Sequence, residues 1–546
     1  MAGGGPGREH TEFTHPPAAR YTDALAPVHN PGKGRVRTLD GYSPIMRHFD
    51  LVVIGSGPGG QKAAIQSAKL GKKVCVVEKM KFVGGVAINT GTIPSKALRE
   101  AVLTLIGAKR QNFDAFAALD RTTRLEKLVE SCQRVIKAEI DVVREHLSSN
   151  GIELIHGIAS FAQGDTVVVE SEHSVETVGA EKVLVAVGTT PSRPDDIPFD
   201  NDKIITSDEL LHLPYLPSTM IIVGGGVIGT EYASMLSALG VRVTLIEGRP
   251  RILDFLDAEI GEALQYHLRQ AGMTLRMGEK VVSIKRIPVP AGVRDMQLSG
   301  GGSGGGGSGA GGGGGGGNGN SNGTAAQSPD IVEATLESGK TIRADCLMYC
   351  VGRQGSTSRL HLENAGLSAD ERGRIKVNEF FQTAKPNIYA VGDVIGFPAL
   401  ASTSMEQGRM AACSMFGEAC TSIPDLFPYG IYSIPEISMV GWTEERLTKE
   451  GIPYEAGIAQ YRETARGQLL DDESGMLKML IHQESGVVLG VHIIGTNATE
   501  LVHIGQAVMA FKGTVDYFIN AVFNYPTLAE CYKIAAFNGR NKIRIV

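Results

Sequence analysis

Gly55, Gly57 and Gly60 form a GxGxxG run, and Glu78 follows Gly55 by 23 positions. Gly224, Gly226, Gly229 and Glu247 repeat the same pattern with the same 23-residue offset. The chemistry this spacing serves is dinucleotide binding. The first glycine makes a tight turn, the second lets the backbone approach a pyrophosphate, and the third lets a helix pack closely on a strand. A helix N-terminus then stabilises the phosphate charge, and the acid accepts hydrogen bonds from ribose hydroxyls. A lone GxGxxG carries little weight. Two of them, each with its acid in register, imply two dinucleotides on one chain.

Each run must sit between a strand and a helix for this to work. "FDLVVIGSG" is continuous and apolar, as in a parallel strand covered on both faces. A helix from about Pro58 to Leu70 and a second strand in "KKVCVVE" complete one βαβ unit. "MIIVGGGVIG", a helix through Leu239 and "VRVTLIE" repeat it. Residues 121–149 carry Leu125, Leu128, Val129, Cys132, Val135, Ile136, Ile140, Val143 and Leu147, which is helical spacing ended by Gly151. From about Ile423 the pattern changes: "GMLKMLIHQESGVVLGVHIIG" reads as a hairpin, followed by a helix from Ala498 to Phe511.

The chain has 546 residues, enough for several domains, and a net charge of −6 that points to neither nucleic acid nor an anionic membrane. No apolar run approaches the roughly 18 residues of a membrane span, and no signal peptide is visible. Residues 1–45 read as a disordered tail. Its four acidic residues against five basic ones argue against a transit peptide, so the expected compartment is the cytoplasm. Residues 300–323 contain 17 glycines and belong to an inert insert, about 288–329, between two neighbouring strands. Each doubling of loop length costs only ~0.6 kcal/mol, so such an insert is tolerable. Cys75, Cys132, Cys346, Cys350, Cys413, Cys420 and Cys531 form no CxxC and read as buried free thiols in a reducing compartment. In a strand, Cys346 and Cys350 would lie about 13 Å apart, too far for a disulfide. No Cys/His pairs have metal-ligand spacing, so no metal is expected.

The segment "GGVAINTGTIPSK", residues 84–96, resembles the redox-active segment of the pyridine-nucleotide disulfide reductases, which reads GGxCxNxGCxPSK. The two cysteine positions are Ala87 and Thr92 here, and neither can pass electrons to a disulfide. The resemblance extends over residues 48–546. It implies an α/β fold with two Rossmann-like dinucleotide-binding domains, one for FAD and one for NAD(P), and a C-terminal α+β dimerisation domain. The implied division is 46–198 and 351–422 for FAD, 199–350 for the nucleotide and 423–546 for dimerisation. "TAKPNIYAVGDV" would supply Asp393 to the FAD ribitol, and "LASTSMEQGR" the helix after it. "VLVAVGTTPSRP" resembles the crossover between domains. Lys96 would lie beside the flavin ring and Glu231 would pair with it. A cation there stabilises negative charge on reduced flavin. Lys79, Gly84, Gly85, Gly157, Ala401 and Gly352 are further cofactor-binding positions that the resemblance implies.

The family's His-Pro-Thr-x-x-Glu run is "YPTLAE" here: Tyr525 stands at the His position, followed by Pro526, Thr527 and Glu530. A tyrosine with a pKa of about 10 does not do the proton transfer that thiol chemistry needs near pH 7. "FNYPTLAE", "GTIPSKALREAV", "IYSIPEISMVG" and "HIGQAVM" resemble the soluble, Si-specific NAD(P)+ transhydrogenase branch of the family. That branch equilibrates NADPH + NAD+ with NADP+ + NADH, here through a ping-pong flavin relay in a homodimer or higher oligomer, with NAD(H) and NADP(H) as substrates. A flavin-dependent quinone or acceptor reductase, which also needs no cysteines, is the alternative. A nucleotide-binding sensor without activity is a third reading.

One site must accept both nucleotides. Glu247 suits a free 2′-hydroxyl, but it repels a 2′-phosphate by about 4 kcal/mol per charge pair at 4 Å and an effective ε of 20. Arg249 or Arg251 is expected to turn to the phosphate and offset this. Replacing both with Ala should raise the KM for NADPH far more than that for NADH in steady-state assays. Equal effects would refute the assignment.

Overall fold

The computed structural model describes residues 47–110, 121–162, 166–289, 330–419 and 426–543. The expected tail, nearly all of the insert and Cys420 lie outside the described residues. The first unit is β1 (Arg47–Ile54), α1 (Pro58–Lys69) and β2 (Val74–Glu78). Two helices follow closely, α2 (Gly85–Asn89) and α3 (Thr92–Arg110), and then the long α4 (Arg121–Ser149). Strands β3 (Glu153–His156), β4 (Ile158–Phe161), β5 (Thr166–Glu170) and β6 (Val175–Val185) complete the order β3-β2-β1-β6-β5-β4. β1 pairs parallel with both β2 and β6.

Alternation along β1 explains its unbroken apolar sequence. Val52 and Ile54 enter one core with Phe161 and Val169, while Leu51 and Val53 enter the opposite core with Ala63 and Ala64 of α1. Both faces are covered, so no position needs to be polar. Helix α4 serves two cores. Leu125, Leu128 and Cys132 pack with the nucleotide-side core, and Ile136, Ile140, Val143 and Leu147 with the first sheet. Val135 falls off this stripe and is 40% exposed, as the 3.6-residue period requires.

A short strand β7 (Thr189–Pro191) leads to β8 (Ile204–Ile205) and the second unit: β9 (Thr219–Val223), α5 (Val227–Ala238), β10 (Arg242–Glu247), α6 (Ala258–Gln270) and β11 (Thr274–Met277). Strands β12 (Val281–Pro288), β13 (Asp330–Leu336) and β14 (Thr341–Ala344) form an antiparallel sheet of their own. β15 (Cys346–Tyr349) then joins the parallel order β11-β10-β9-β15-β8. One face of that sheet packs on α5 and α6. The other places Ile221, Ile246 and Leu347 against Ile284, Val332 and Leu336 of the antiparallel sheet. The chain returns through β16 (Arg353–Gly355), which pairs with β7, and β17 (Ile388–Ala390), which pairs parallel with β6. Helix α7 (Ala401–Met415) closes that part.

The C-terminal part holds β18 (Tyr429–Ile431), β19 (Ile437–Gly441), α8 (Glu444–Glu450), β20 (Tyr454–Gln460), β21 (Met476–His482) and β22 (Val488–Ile494). The five strands form one antiparallel sheet, in the order β18-β19-β22-β21-β20. Helices α9 (Ala498–Ala510), α10 (Val515–Asn520) and α11 (Glu530–Ile543) pack on it around Tyr461, Phe518 and Tyr532. Among the described residues, no helix is long and apolar enough to cross a membrane.

The cysteines depart from expectation at two positions, since Cys350 is only half-buried and Cys413 is not free. Cys75, Cys132, Cys346, Cys350 and Cys531 are free, but Cys413 of α7 is disulfide-bonded. Cys413 is 2% exposed, and Ala411, Ala412 and Met415 beside it in sequence are core residues, so its local sequence resembles that of a core thiol.

Lys478 of β21 ties the C-terminal part to the nucleotide part. Its side chain and that of Asp257, just before α6, are fully buried, with Nζ 2.8 Å from Asp257 Oδ1. Glu444 and Glu259 lie 2.7 and 2.9 Å from the same nitrogen. Among the described residues, these three acids form the one cluster with metal-ligand spacing, and the ammonium already lies against all three. Desolvation pushes the Asp257 carboxyl up, but His492 in its cationic form and the Lys478 ammonium outweigh it and hold the pKa below the usual range. Desolvation pulls the Lys478 pKa down, and its three acidic partners more than reverse that. The depressed Asp257 therefore contributes stability above its unfolded pKa of about 4, lost as pH falls through the lower folded value. The raised Lys478 contributes at all pH below about 10. Lys478→Met should cost about 3–5 kcal/mol in urea unfolding at pH 7, because it strands the buried Asp257 carboxylate. The deficit should shrink below about pH 4. A deficit under about 1 kcal/mol, or one independent of pH, would contradict this account.

Candidate functional site

The two glycine turns have the same geometry. Gly55 has φ +105° and Gly224 has φ +106°, a region that side chains rarely adopt. A Cβ on Gly60 would lie 2.0 Å from Gly55 O, and one on Gly229 would lie 2.0 Å from Gly224 O. Only glycine lets these helices approach their strands so closely. Gly57 and Gly226 are the N-caps of α1 and α5, neither supplies a side-chain cap, and both face open space. The helix N-termini therefore keep free donors for a phosphate.

At the first turn, Glu78 Oε2 accepts from Ser56 N at 3.0 Å and from Ser56 Oγ at 2.5 Å. Glu78 Oε1 accepts from Met80 N at 2.9 Å. Ser56 Oγ in turn accepts from Gly84 N at 2.9 Å. The hydroxyl thus connects the fingerprint acid to the 84–96 segment. Sequence reasoning passed over Ser56; its signal is a hydroxyl residue between the first two glycines. Gly85 lies so close that its Cβ would meet Gly57 Cα at 2.9 Å. Gly157 donates its N–H to Glu78 O at 2.9 Å, and Lys79 follows Glu78 on the exposed side. Ala401 opens α7, which crosses α1 where Gly408 would clash with Gly59 backbone if it carried a side chain.

Asp393 is half-buried and accepts from Thr189 Oγ1 at 3.3 Å. Loss of hydration raises its pKa, against the pull of Arg353 and Thr189. Arg353 holds Thr189 through both Oγ1 and its carbonyl, at 2.8 Å each. Gly352, at φ +82°, precedes this arginine, and its carbonyl accepts from Ser192 N. Neither Thr189 nor Arg353 had a signal beyond its place in the crossover strands.

Ala87 lies in α2 and Thr92 begins α3. Asn89 Nδ2 bonds the carbonyls of Val83 and Gly85, so the turn is held without a disulfide. One turn further on, Lys96 Nζ lies 2.9 Å from Glu231 Oε2 and 3.0 Å from Oε1. Glu231 is 3% exposed, on α5, and its Oε1 also accepts from Tyr432 N at 2.8 Å. Lys96 also sits 4.7 Å over the Tyr432 ring. Beside it, Arg99 donates to Ser433 O at 3.1 Å and pairs with Glu436 at 2.8 Å.

At the second turn, Glu247 Oε2 accepts from Gly225 N at 2.7 Å and Oε1 from Arg249 N at 2.9 Å. Arg249 adds Nε on Oε1 at 3.0 Å and Nη2 on Oε2 at 2.9 Å. Desolvation works against the Glu247 charge, but these bonds lower its pKa. Arg251 is half-buried, with no ion-pair or hydrogen-bond partner among the described residues. Tyr525 is 74% exposed, and Glu530 Oε2 is buried without a partner among the described residues. The structure thus gathers Lys96, Glu231 and Tyr432 at one junction, Ser56, Glu78 and Gly84 at the first turn, and Glu247 with Arg249 at the second. It does not bring Tyr525 to any of them.

The sequence model described as pyridine nucleotide-disulphide oxidoreductase matches residues 49–303 and 319–408, and that of the family's dimerisation domain matches residues 427–536. The chain belongs to the pyridine nucleotide-disulphide oxidoreductase family. It is 50% identical over 503 residues to the soluble pyridine nucleotide transhydrogenase of Mycobacterium tuberculosis (strain ATCC 25177 / H37Ra), covering 91% of this chain and 98% of that one. It is 40% identical, over 91% of this chain and 98% of the relative, to the protein of the same name from Colwellia psychrerythraea. Among solved structures it is similar in fold to LpdA from Mycobacterium tuberculosis, with a TM-score of 0.76 at 22% identity over 90% of this chain and 99% of that one. The flavoprotein disulfide reductase RclA from Escherichia coli gives 0.73 at 24% identity, over 88% and 98%.

Burial pushes the pKa of all five free thiols up to about 12. A thiol is nucleophilic only as the thiolate, so these are unreactive near neutrality. Iodoacetamide at pH 8 should leave all five unmodified in the folded protein, as read by peptide mass spectrometry, with activity intact. Rapid alkylation of any one, with loss of activity, would reopen thiol chemistry.

Proposed function

We propose that this chain catalyses hydride exchange between pyridine nucleotides, NADPH + NAD+ = NADP+ + NADH, with FAD as the carrier. The observation that carries this reading is the pair of matching dinucleotide turns with no thiol outlet: Ala87 and Thr92 stand where a redox pair would be. The names of relatives at 40–50% identity support it.

The residues fit FAD at the first turn. The uncapped N-terminus of α1, the buried Glu78 and the half-buried Asp393 offer sites for phosphate, ribose and ribitol. Bound there, FAD supplies a two-electron carrier that can take a hydride from one nicotinamide and pass it to another. Glu231 holds the Lys96 ammonium, and a fixed cation stabilises negative charge arising on the carrier. The Gly224 turn holds the exchanging nucleotide, with Glu247 for a ribose and the arginines for a 2′-phosphate. No side chain needs to move a proton to a thiol, so the exposed Tyr525 in place of a histidine is no defect.

The match to a dimerisation domain indicates a homo-oligomer. We infer a homodimer built through α9–α11, where Phe511, Val522 and Tyr525 are 88%, 92% and 74% exposed. Five free thiols against one disulfide-bonded cysteine among the described residues suit a reducing compartment, and we place the protein in the cytoplasm.

Mixing the FAD-loaded protein with NADPH and thio-NAD+ should produce thio-NADH, followed by its absorbance. Absence of thio-NADH with rapid quinone reduction would favour an acceptor reductase instead. Reduced protein should also lack a thiolate–flavin charge-transfer band, because no cysteine occupies position 87 or 92.

A further inference from the structure

The two fingerprint acids share their backbone bonds and differ in what else they hold. Glu78 accepts from the N–H between the first two glycines and from the N–H two residues after itself. Glu247 does the same, through Gly225 N and Arg249 N. At the first site Ser56 adds a hydroxyl, and among the described residues Oε1 carries only the Met80 bond. At the second site the residue in the place of Met80 is Arg249, and its guanidinium covers both carboxylate oxygens. A carboxylate offers about four acceptor directions, and Glu247 has now used that number. The guanidinium occupies the directions a ribose diol would take. Arg249 also reaches the other way: Nη1 is bonded to Asp254 Oδ1, and both side chains are nearly half exposed, at 43% and 47%.

We propose that Arg249 is shared between two carboxylates, and that Asp254 is a positioning residue setting the balance between NAD(H) and NADP(H). The proposal rests on the reading of the Gly224 turn as the nucleotide site. For NAD(H), the ribose hydroxyls replace the guanidinium on Glu247, and Asp254 holds Arg249 aside. For NADP(H), Arg249 leaves both acids for the 2′-phosphate and joins Arg251, which has no partner among the described residues. Asp254 thus favours the first nucleotide twice, by retaining Arg249 and by repelling the phosphate. Such an exposed pair is weak enough to exchange on each turnover.

The test is calorimetric titration of the FAD-loaded protein with adenosine 2′,5′-bisphosphate and with 5′-AMP, fragments that differ in the 2′-phosphate. Asp254→Asn should tighten the bisphosphate by about three- to fivefold and leave 5′-AMP unchanged or weaker. Asp254→Glu, which keeps the carboxylate, should restore the original ratio. Equal changes for both fragments, no change, or failure of the Glu variant to restore the ratio would overturn the proposal while leaving the nucleotide site in place. If neither fragment binds the unsubstituted protein, the reading of the site itself fails, and the proposal with it.

Discussion

The Glu231 carboxylate is where the three parts of this chain are held in register. It stands on α5, the helix that begins at the second glycine turn. It receives Lys96 from the segment after the first turn and the backbone N–H of Tyr432 from the C-terminal part. A buried carboxylate is costly unless its lone pairs are filled, and an unpaired one costs several kcal/mol. Each partner is therefore obliged to arrive. Arg99, one helical turn beyond Lys96, repeats the tie through Ser433 O and Glu436. A charge placed to act on a bound carrier is thus also a structural fixture, which is how its position can be kept without dependence on the loops around it.

The matching turns divide labour through their partners. Around Glu78, the linking group is a hydroxyl that is 0% exposed and tied to Gly84. Opening that site means breaking a buried chain of bonds. Around Glu247, the linking group is a half-exposed guanidinium that can rotate into solvent. The first arrangement suits a resident cofactor and the second a substrate that comes and goes. The backbone design is common to both, so the difference in residence lies in one side chain at each site.

Local pattern was legible where the physics is local. The strand–helix–strand units, the 121–149 helix and the hairpin at β21–β22 follow from periodicity and glycine placement, and their ends fall within a residue or two of expectation. The pairing of Lys96 with Glu231 was legible only through resemblance, since 135 positions separate them. Lys478 was invisible: a single lysine in "GMLKMLIH" reads as the polar face of a strand, yet it is fully buried against Asp257, 221 positions away. Ser56 bonds Glu78 22 positions away, and a lone serine between glycines has no period of its own. Contacts made across great chain separation leave no period to detect.

The pairing of β12 with β13 has a consequence of its own. Pro288 and Asp330 are direct partners at the open end of that ladder. The chain therefore departs from the nucleotide part and re-enters it at neighbouring points, on the sheet that backs β9, β10 and β15. A folded module whose two ends lie close together could be spliced there without stretching the ladder. Nature has already spaced these partners widely in sequence. That makes the junction a ready graft point for a reporter domain, carried behind the sheet rather than within the site.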